Sequence, residues 1–209
     1  MKNLLEFVSG ARVLAFGAHP DDIEFGAGGL VARLAARGAD VVMALISIPS
    51  HREERLAEAT EGARILNARL ALPFRHEGGR VEDLKMHQLV ARFDGLIAEI
   101  RPDLVLTHDP SDLHFDHRLV HQATVAAVRR TPCALLTFLS SPVMNAHAAA
   151  GHCFADITET IDTKIASIRA HKTQLGKLDL ESFREVARAN GRMCGVRYAE
   201  TFNVARLRI

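Results

Sequence analysis

Residues 18–29 read Ala18-His19-Pro20-Asp21-Asp22-Ile23-Glu24-Phe25-Gly26-Ala27-Gly28-Gly29, and what stands on either side of them decides the fold. Residues 12–18 are an apolar run of the kind that forms a buried strand. Residues 30–38 have helical spacing and finish at Gly38, suited to stopping a helix. The polar cluster therefore lies where a strand hands over to a helix. In an open parallel sheet that place is the crevice at the carboxyl ends of the strands, where ligands bind. One imidazole and two adjacent carboxylates are concentrated there, next to glycines that permit close approach. Imidazole and carboxylate suit a divalent metal, and a second carboxylate is left to act as a base. The plainer alternative is that Asp21 or Asp22 caps the helix. A dinucleotide site fits less well, because the glycines follow the acidic pair instead of the strand.

Outward from this stretch, strand and helix patterns alternate. Strands are expected at 40–47, 69–74, 103–107 and 134–139, and helices at 52–66, 86–101 and 119–130. The C-terminal part is less regular: a loop at 145–151 over the carboxyl edge, a short strand at 154–157, helices at 161–175 and 180–190, and a strand or extended tail at 198–204. The alternation predicts an α/β fold with a mostly parallel sheet and right-handed crossovers. With no repeat, low-complexity segment or linker, residues 1–209 read as one domain.

A second cluster, Thr107-His108-Asp109-Pro110-Ser111-Asp112-Leu113-His114-Phe115-Asp116-His117, also follows a buried strand and precedes a helix. If the two strands are close in the sheet, the clusters meet over one edge. His19, Asp22 and His117 then supply three ligands and leave a fourth position for water, the plan of a catalytic zinc site. Asp21 and Asp22 are adjacent, so one ligand and one free base is the natural division. His114 reaches the same pocket and serves to stabilise an oxyanion or protonate a leaving amine, with Asp116 orienting an imidazole and close enough in sequence to hold His114. Other histidines, His51, His76, His87, His121, His147 and His152, read as solvent-facing or structural, and His108 as a brace behind the metal.

The formal net charge of +1, with 48% hydrophobic and 24% charged residues, gives no electrostatic case for nucleic acid or a membrane surface. No apolar run reaches membrane-spanning length. Residues 1–10 carry one lysine and a short apolar patch broken by Glu6, unlike a secretory signal. Cys133, Cys153 and Cys194 are an odd number without CxxC pairing, which favours reduced thiols in a cytoplasmic protein.

The two clusters resemble the PIG-L/LmbE family of metal-dependent N-acetylglucosaminyl deacetylases and related amidases. His19-Pro20-Asp21-Asp22 with its glycine-rich continuation matches the first family motif. His114-Phe115-Asp116-His117 matches the second, with Phe115 at the usual proline. Arg55 to Glu58 and Leu66 resemble the family's Arg-x-x-Glu helix, with Asn67 in place of a glycine. Phe154 to Thr158, Lys164, His171 to Gln174 and Tyr198 to Phe202 resemble later landmarks. The resemblance implies a single-domain, Rossmann-like three-layer fold with the active site at the carboxyl edge. It implies Zn2+, with Fe2+ as another divalent candidate, held by His19, Asp22 and His117, and Asp21 as general base. His114 would assist the transition state, and Arg55 would face the substrate, with Arg52 a rival. The implied reaction removes an acetyl group from a small-molecule N-acetyl sugar conjugate. Cleavage of a larger amide conjugate and a non-catalytic nucleotide-binding module are the alternatives, and a homo-oligomer is left open.

Overall fold

The computed structural model describes residues 10–74, 79–140, 151–176 and 179–207. The loop expected at 145–151, apart from Gly151, lies outside them, as do His76 and His147.

Along β1 (Arg12–Gly17), Val13 and Ala15 point into one apolar cluster, and Leu14 and Phe16 into another. This alternation, apolar on both faces, is what a strand in the middle of a doubly covered sheet requires. β1 pairs in parallel with β2 (Asp40–Leu45) on one side and β4 (Leu104–His108) on the other. The described sheet has seven strands, ordered β3-β2-β1-β4-β5-β7-β6. β3 is Arg69–Ala71, β5 Ala134–Phe138, β6 Cys153–Asp156 and β7 Ala199–Arg206. The first five strands are parallel, whereas β7 runs antiparallel to β5 and β6 antiparallel to β7.

Helices cover both faces. α1 (Asp22–Ala36) and the end of α2 (Arg52–Ile65) share a cluster with Val13, Met43 and Leu106. α3 (Met86–Ile100) and α4 (Phe115–Ala127) fill the opposite face through Leu89, Phe93 and Val120. There Phe93 stacks on Phe16 with ring centroids 4.3 Å apart, and its truncation to alanine costs about 3–5 kcal/mol. α5 (Ile161–Ala170) packs against α1 and α2, with the short α6 (Lys172–Leu175) behind it and α7 (Leu180–Cys194) outside.

Three element boundaries differ from the sequence pattern in ways that shape the site. α1 starts at Asp22, so the glycines lie inside the helix instead of preceding it. Their reason is packing: a Cβ at Gly26 would strike the Phe138 ring, and one at Gly29 would lie 2.7 Å from Ile157. α4 starts at Phe115, before residue 119, because His114 caps it. The helix expected over 161–175 breaks at His171, which turns its side chain inward.

Candidate active site

Strand order reverses around β1, since β2 lies to one side and β4 to the other. At such a switch point the two following loops diverge and leave a crevice. The loop after β1 carries His19, Asp21 and Asp22, and the loop after β4 leads through Asp112 and His114 to the first turn of α4. The two clusters meet there.

Asp22 is their junction. Its Oδ1 is 3.3 Å from His117 Nε2 and its Oδ2 is 3.6 Å from His19 Nδ1. The backbone N–H of His19 donates to the same Oδ2 at 2.7 Å. The outer nitrogens of both rings face carboxylates: His19 Nε2 donates to Asp116 Oδ2 at 3.0 Å, and His117 Nδ1 lies 2.9 Å from Asp112 Oδ2. His117 Nδ1 and Asp112 Oδ2 form an ion-pair contact, and neither buried atom has a hydrogen-bond partner among the described residues. Each imidazole thus has one nitrogen toward Asp22 and the other toward an outer carboxylate, the arrangement that orients metal-binding histidines.

Electrostatics agree with this. Burial opposes charging His19, but Asp116 and Asp22 outweigh it and raise the imidazole to about 9. For His117 burial is likewise outweighed, by Asp22 and Asp112, and the value rises to about 10. Asp22 is buried, yet the neighbouring His117 and His108 hold its carboxyl well below the usual range. The surplus of negative charge that retains these protons is what a divalent cation would neutralise. His19, Asp22 and His117 therefore suit a metal in donor type. Among the described residues the donor groups close enough to share one ion are His19, His114 and His117, and Asp22, His108 and His117, so the three expected ligands are split between two overlapping groups that share His117.

Asp21 sits beside this group at φ 95°, a conformation uncommon for a residue with a side chain. It occupies the N-cap position of α1 without a side-chain capping bond. Burial, reinforced by the adjacent Asp22 charge, pushes its carboxyl up to about 8. A carboxylate poised near neutral pH is suited to accept a proton. Arg55 is buried against it, with Nη2 3.5 Å from Asp21 Oδ2 and donating to Pro20 O at 3.2 Å. Arg55 Nε is buried with no partner among the described residues. Arg52 opens α2 and is half-buried; of the two arginines it is Arg55 that lies against Asp21.

The same two motifs lie within the 115 residues, 14–128, that match the family description "PIG-L: GlcNAc-PI de-N-acetylase". The chain belongs to the PIG-L family. It is 30% identical over 227 residues to a 1D-myo-inositol 2-acetamido-2-deoxy-alpha-D-glucopyranoside deacetylase of Mycobacteroides abscessus, covering 78% of this chain and 81% of that one. It is 28% identical over 222 residues to the diacetylchitobiose deacetylase of Thermococcus kodakarensis, covering 90% and 81% respectively. Among solved structures, the conserved protein TT1542 from Thermus thermophilus superposes with a TM-score of 0.80 at 25% identity, over 95% of this chain and 97% of that one. PIG-L membership and these neighbours agree with the mixed α/β fold and its mostly parallel sheet.

Within this PIG-L fold, two residues stand differently from the sequence expectation. Asp116 turns its carboxylate to His19, not His114, because the first turn of α4 points it inward across the crevice. What reaches His114 is the Asp116 backbone, whose N–H donates to His114 Nδ1 at 3.2 Å. His114 is the N-cap of α4, and its ring stacks on His117 with centroids 4.5 Å apart. Burial and the charges of His117 and His19 lower its pKa, which disfavours the protonated imidazole expected of an acid. With Nδ1 accepting the Asp116 N–H, a neutral His114 carries its proton on Nε2.

His108 does brace the loop: its Nε2 accepts the Ala18 N–H at 2.9 Å and its Nδ1 meets Ser140 Oγ at 2.8 Å. With Nε2 so engaged, and burial lowering its pKa to about 4, it is a neutral prop, although it lies 3.4 Å from Asp22. Sequence reasoning gave no role to Asp112, which stands behind His117, or to the buried pair of Glu24 and His171, 2.9 Å apart behind the Asp21 turn. Position within the second cluster was the available signal for Asp112. Nothing local to Glu24 indicates a partner 147 residues away.

Proposed function

We propose that the chain is a metal-dependent amide hydrolase that removes an acetyl group from an N-acetylglucosamine-type amino sugar. The observation that carries the reading is Asp22 between His19 and His117, each imidazole backed by a carboxylate, with Asp21 beside them. His19, Asp22 and His117 would hold the ion, and Zn2+ suits the mixed nitrogen and oxygen donors. When bound, such an ion supplies Lewis acidity and acidifies water toward neutral pH. Asp21 accepts the proton of the water that attacks the acyl carbon, which its raised pKa favours at neutral pH. Arg55 fixes the Asp21 turn through Nη2, which donates to Pro20 O and lies beside Asp21 Oδ2, and is the arginine nearest the expected substrate side. The Nε2–H of His114 would donate to the oxyanion that develops on the carbonyl oxygen. The small-molecule substrate class is drawn from the names of relatives that act on acetamido sugars.

Among the described residues no helix is long and apolar enough to cross a membrane. The three cysteines are free, which supports a cytoplasmic setting. The deciding experiment combines metal analysis of the purified chain with a deacetylation assay across free, phosphorylated, nucleotide-linked and glycoside-linked N-acetylhexosamines. About one divalent ion per chain and acetate release from one of these classes is the expected result. A metal-free chain without acetate release would instead favour a nucleotide-binding module, and activity confined to larger amides would shift the substrate class.

A further inference from the structure

Two charged residues with no part in the chemistry are buried beside the body of α1: Lys164 on α5, 3% exposed, and Glu200 on β7, 4% exposed. Lys164 Nζ lies 2.5 Å from Glu200 Oε1 and donates to the carbonyl of Phe25 at 2.7 Å. Glu200 also accepts two successive backbone N–H groups from inside α1, that of Gly29 at 2.8 Å and that of Leu30 at 2.7 Å. In an uninterrupted helix the Gly29 N–H would go to the Phe25 carbonyl, and the Leu30 N–H to that of Gly26. Here the ion pair is inserted into the ladder at that turn.

The insertion falls within α1, which continues through it from Asp22 to Ala36. After it, Leu30, Val31 and Leu34 are locked into the core. Before it, a single turn carries Asp22 and Glu24, and this turn leads directly from the Asp21 N-cap. The C-terminal end of α5 holds that turn a second time, since its C-cap His171, seven residues after Lys164, pairs with Glu24. Stability alone is a weak reason for such a pair, because a buried ion pair is often replaceable by apolar residues without loss.

We infer that Lys164 and Glu200 are positioning residues: by taking over the backbone bonds of Phe25, Gly29 and Leu30, they set the direction of the first turn of α1 and so place Asp22 between His19 and His117. The inference rests on the metal-site reading above. Asp22 must meet two imidazoles from opposite sides, so a displacement of about 1 Å in this turn separates it from one of them.

The test measures zinc affinity by chelator competition, kcat and KM at saturating zinc on the best substrate of the assay above, and thermal unfolding. Its variants are Glu200→Gln, Lys164→Met, and the two combined. Each single variant is expected to weaken zinc binding about tenfold or more, the scale seen when a supporting partner of a metal ligand is lost. Each is also expected to lower kcat with KM little changed. The double variant restores charge balance but not the carboxylate acceptor, so it stays impaired. Ile165→Val, a buried change on the same helix, serves as the control for general destabilisation. Should Glu200→Gln not fold, Lys164→Arg, which keeps the charge but alters the cation's reach, takes its place. Variants that lose thermal stability yet keep wild-type zinc affinity and kcat would overturn the inference, as would an equal loss of zinc affinity in Ile165→Val. Failure of the metal reading itself shows separately, as a wild-type chain that binds no zinc, and overturns both.

Discussion

Asp22 Oδ1 lies 3.3 Å from His117 Nε2, which joins the turn after β1 to the first turn of α4 across 95 positions of sequence. Everything chemical in the site is arranged around that contact. His19 reaches the other oxygen of the same carboxylate, and Asp112 and Asp116 hold the far sides of the two rings.

Replacing His19, Asp22 or His117 by alanine is expected to lower bound zinc and abolish hydrolysis. Asp112→Asn and Asp116→Asn, which weaken the support of His117 and His19, should reduce zinc affinity by about 10–100-fold without abolishing it. Metal should also be lost as pH falls, since protons compete for the imidazoles. Metal analysis of the purified variants checks all of this. Full metal content in all three alanine variants would remove the ligand assignment.

Asp21→Asn keeps the size of the side chain and removes its ability to take a proton. Metal content should stay near wild type while kcat falls by about 10²–10⁴-fold, the usual contribution of a positioned base. If activity survives, Asp21 serves the backbone turn at φ 95° alone, and another residue is the base.

His114 has two jobs that one substitution confounds. It caps α4 through Nδ1, and it presents Nε2 to the site. His114→Ala should cost about 1 kcal/mol of stability for the lost cap and about 10²–10³-fold in turnover for the lost donor. His114→Asn restores a good capping side chain but shortens the donor. Stability should return in the asparagine variant while turnover does not, with metal bound in both. Recovery of turnover together with stability would reduce His114 to a cap.

Asp109 is a pH-dependent tie between β4, β5 and β7. Its carboxylate accepts Ser111 N–H at 3.0 Å, Ser111 Oγ at 2.6 Å, Thr137 Oγ1 at 2.5 Å and Asn203 Nδ2 at 2.9 Å. Burial opposes its charge, but the bonds from Asn203, Ser111 and Thr137 outweigh that and lower its pKa. A lowered folded-state pKa stabilises the fold above the unfolded value, about 3.9, and the gain is lost as pH falls through the folded value. Urea midpoints from about pH 6 to about pH 3 should therefore drop more steeply for wild type than for Asp109→Asn. Parallel curves would show that Asp109 contributes no such linkage.

The strand-to-helix handover at residues 18–29, and its repeat at 107–117, were legible because both are local. Continuous apolar runs, a short polar cluster and a following helical period need no distant partner to be recognised. The same holds for the mostly parallel sheet, whose alternating elements leave few other topologies. Local pattern misplaced the starts of α1 and α4 because helix ends depend on single capping contacts and close packing. The glycines at 26 and 29 look like a loop until Phe138 and Ile157 are seen to press on them.

Three features required the folded chain. The carboxylate of Asp116 belongs to His19, 97 residues away, and not to its sequence neighbour His114. His108 spends its ring on the Ala18 N–H, 90 residues back, which makes it a prop for the first motif. Lys164 and Glu200 fall in stretches that resemble family landmarks but carry no stated role there, and only burial against α1 gives them a common task. The physical reason is the same in each case. Residue type and spacing state which donors and acceptors a segment offers, whereas a buried polar atom must be paired by whichever element packing brings to it.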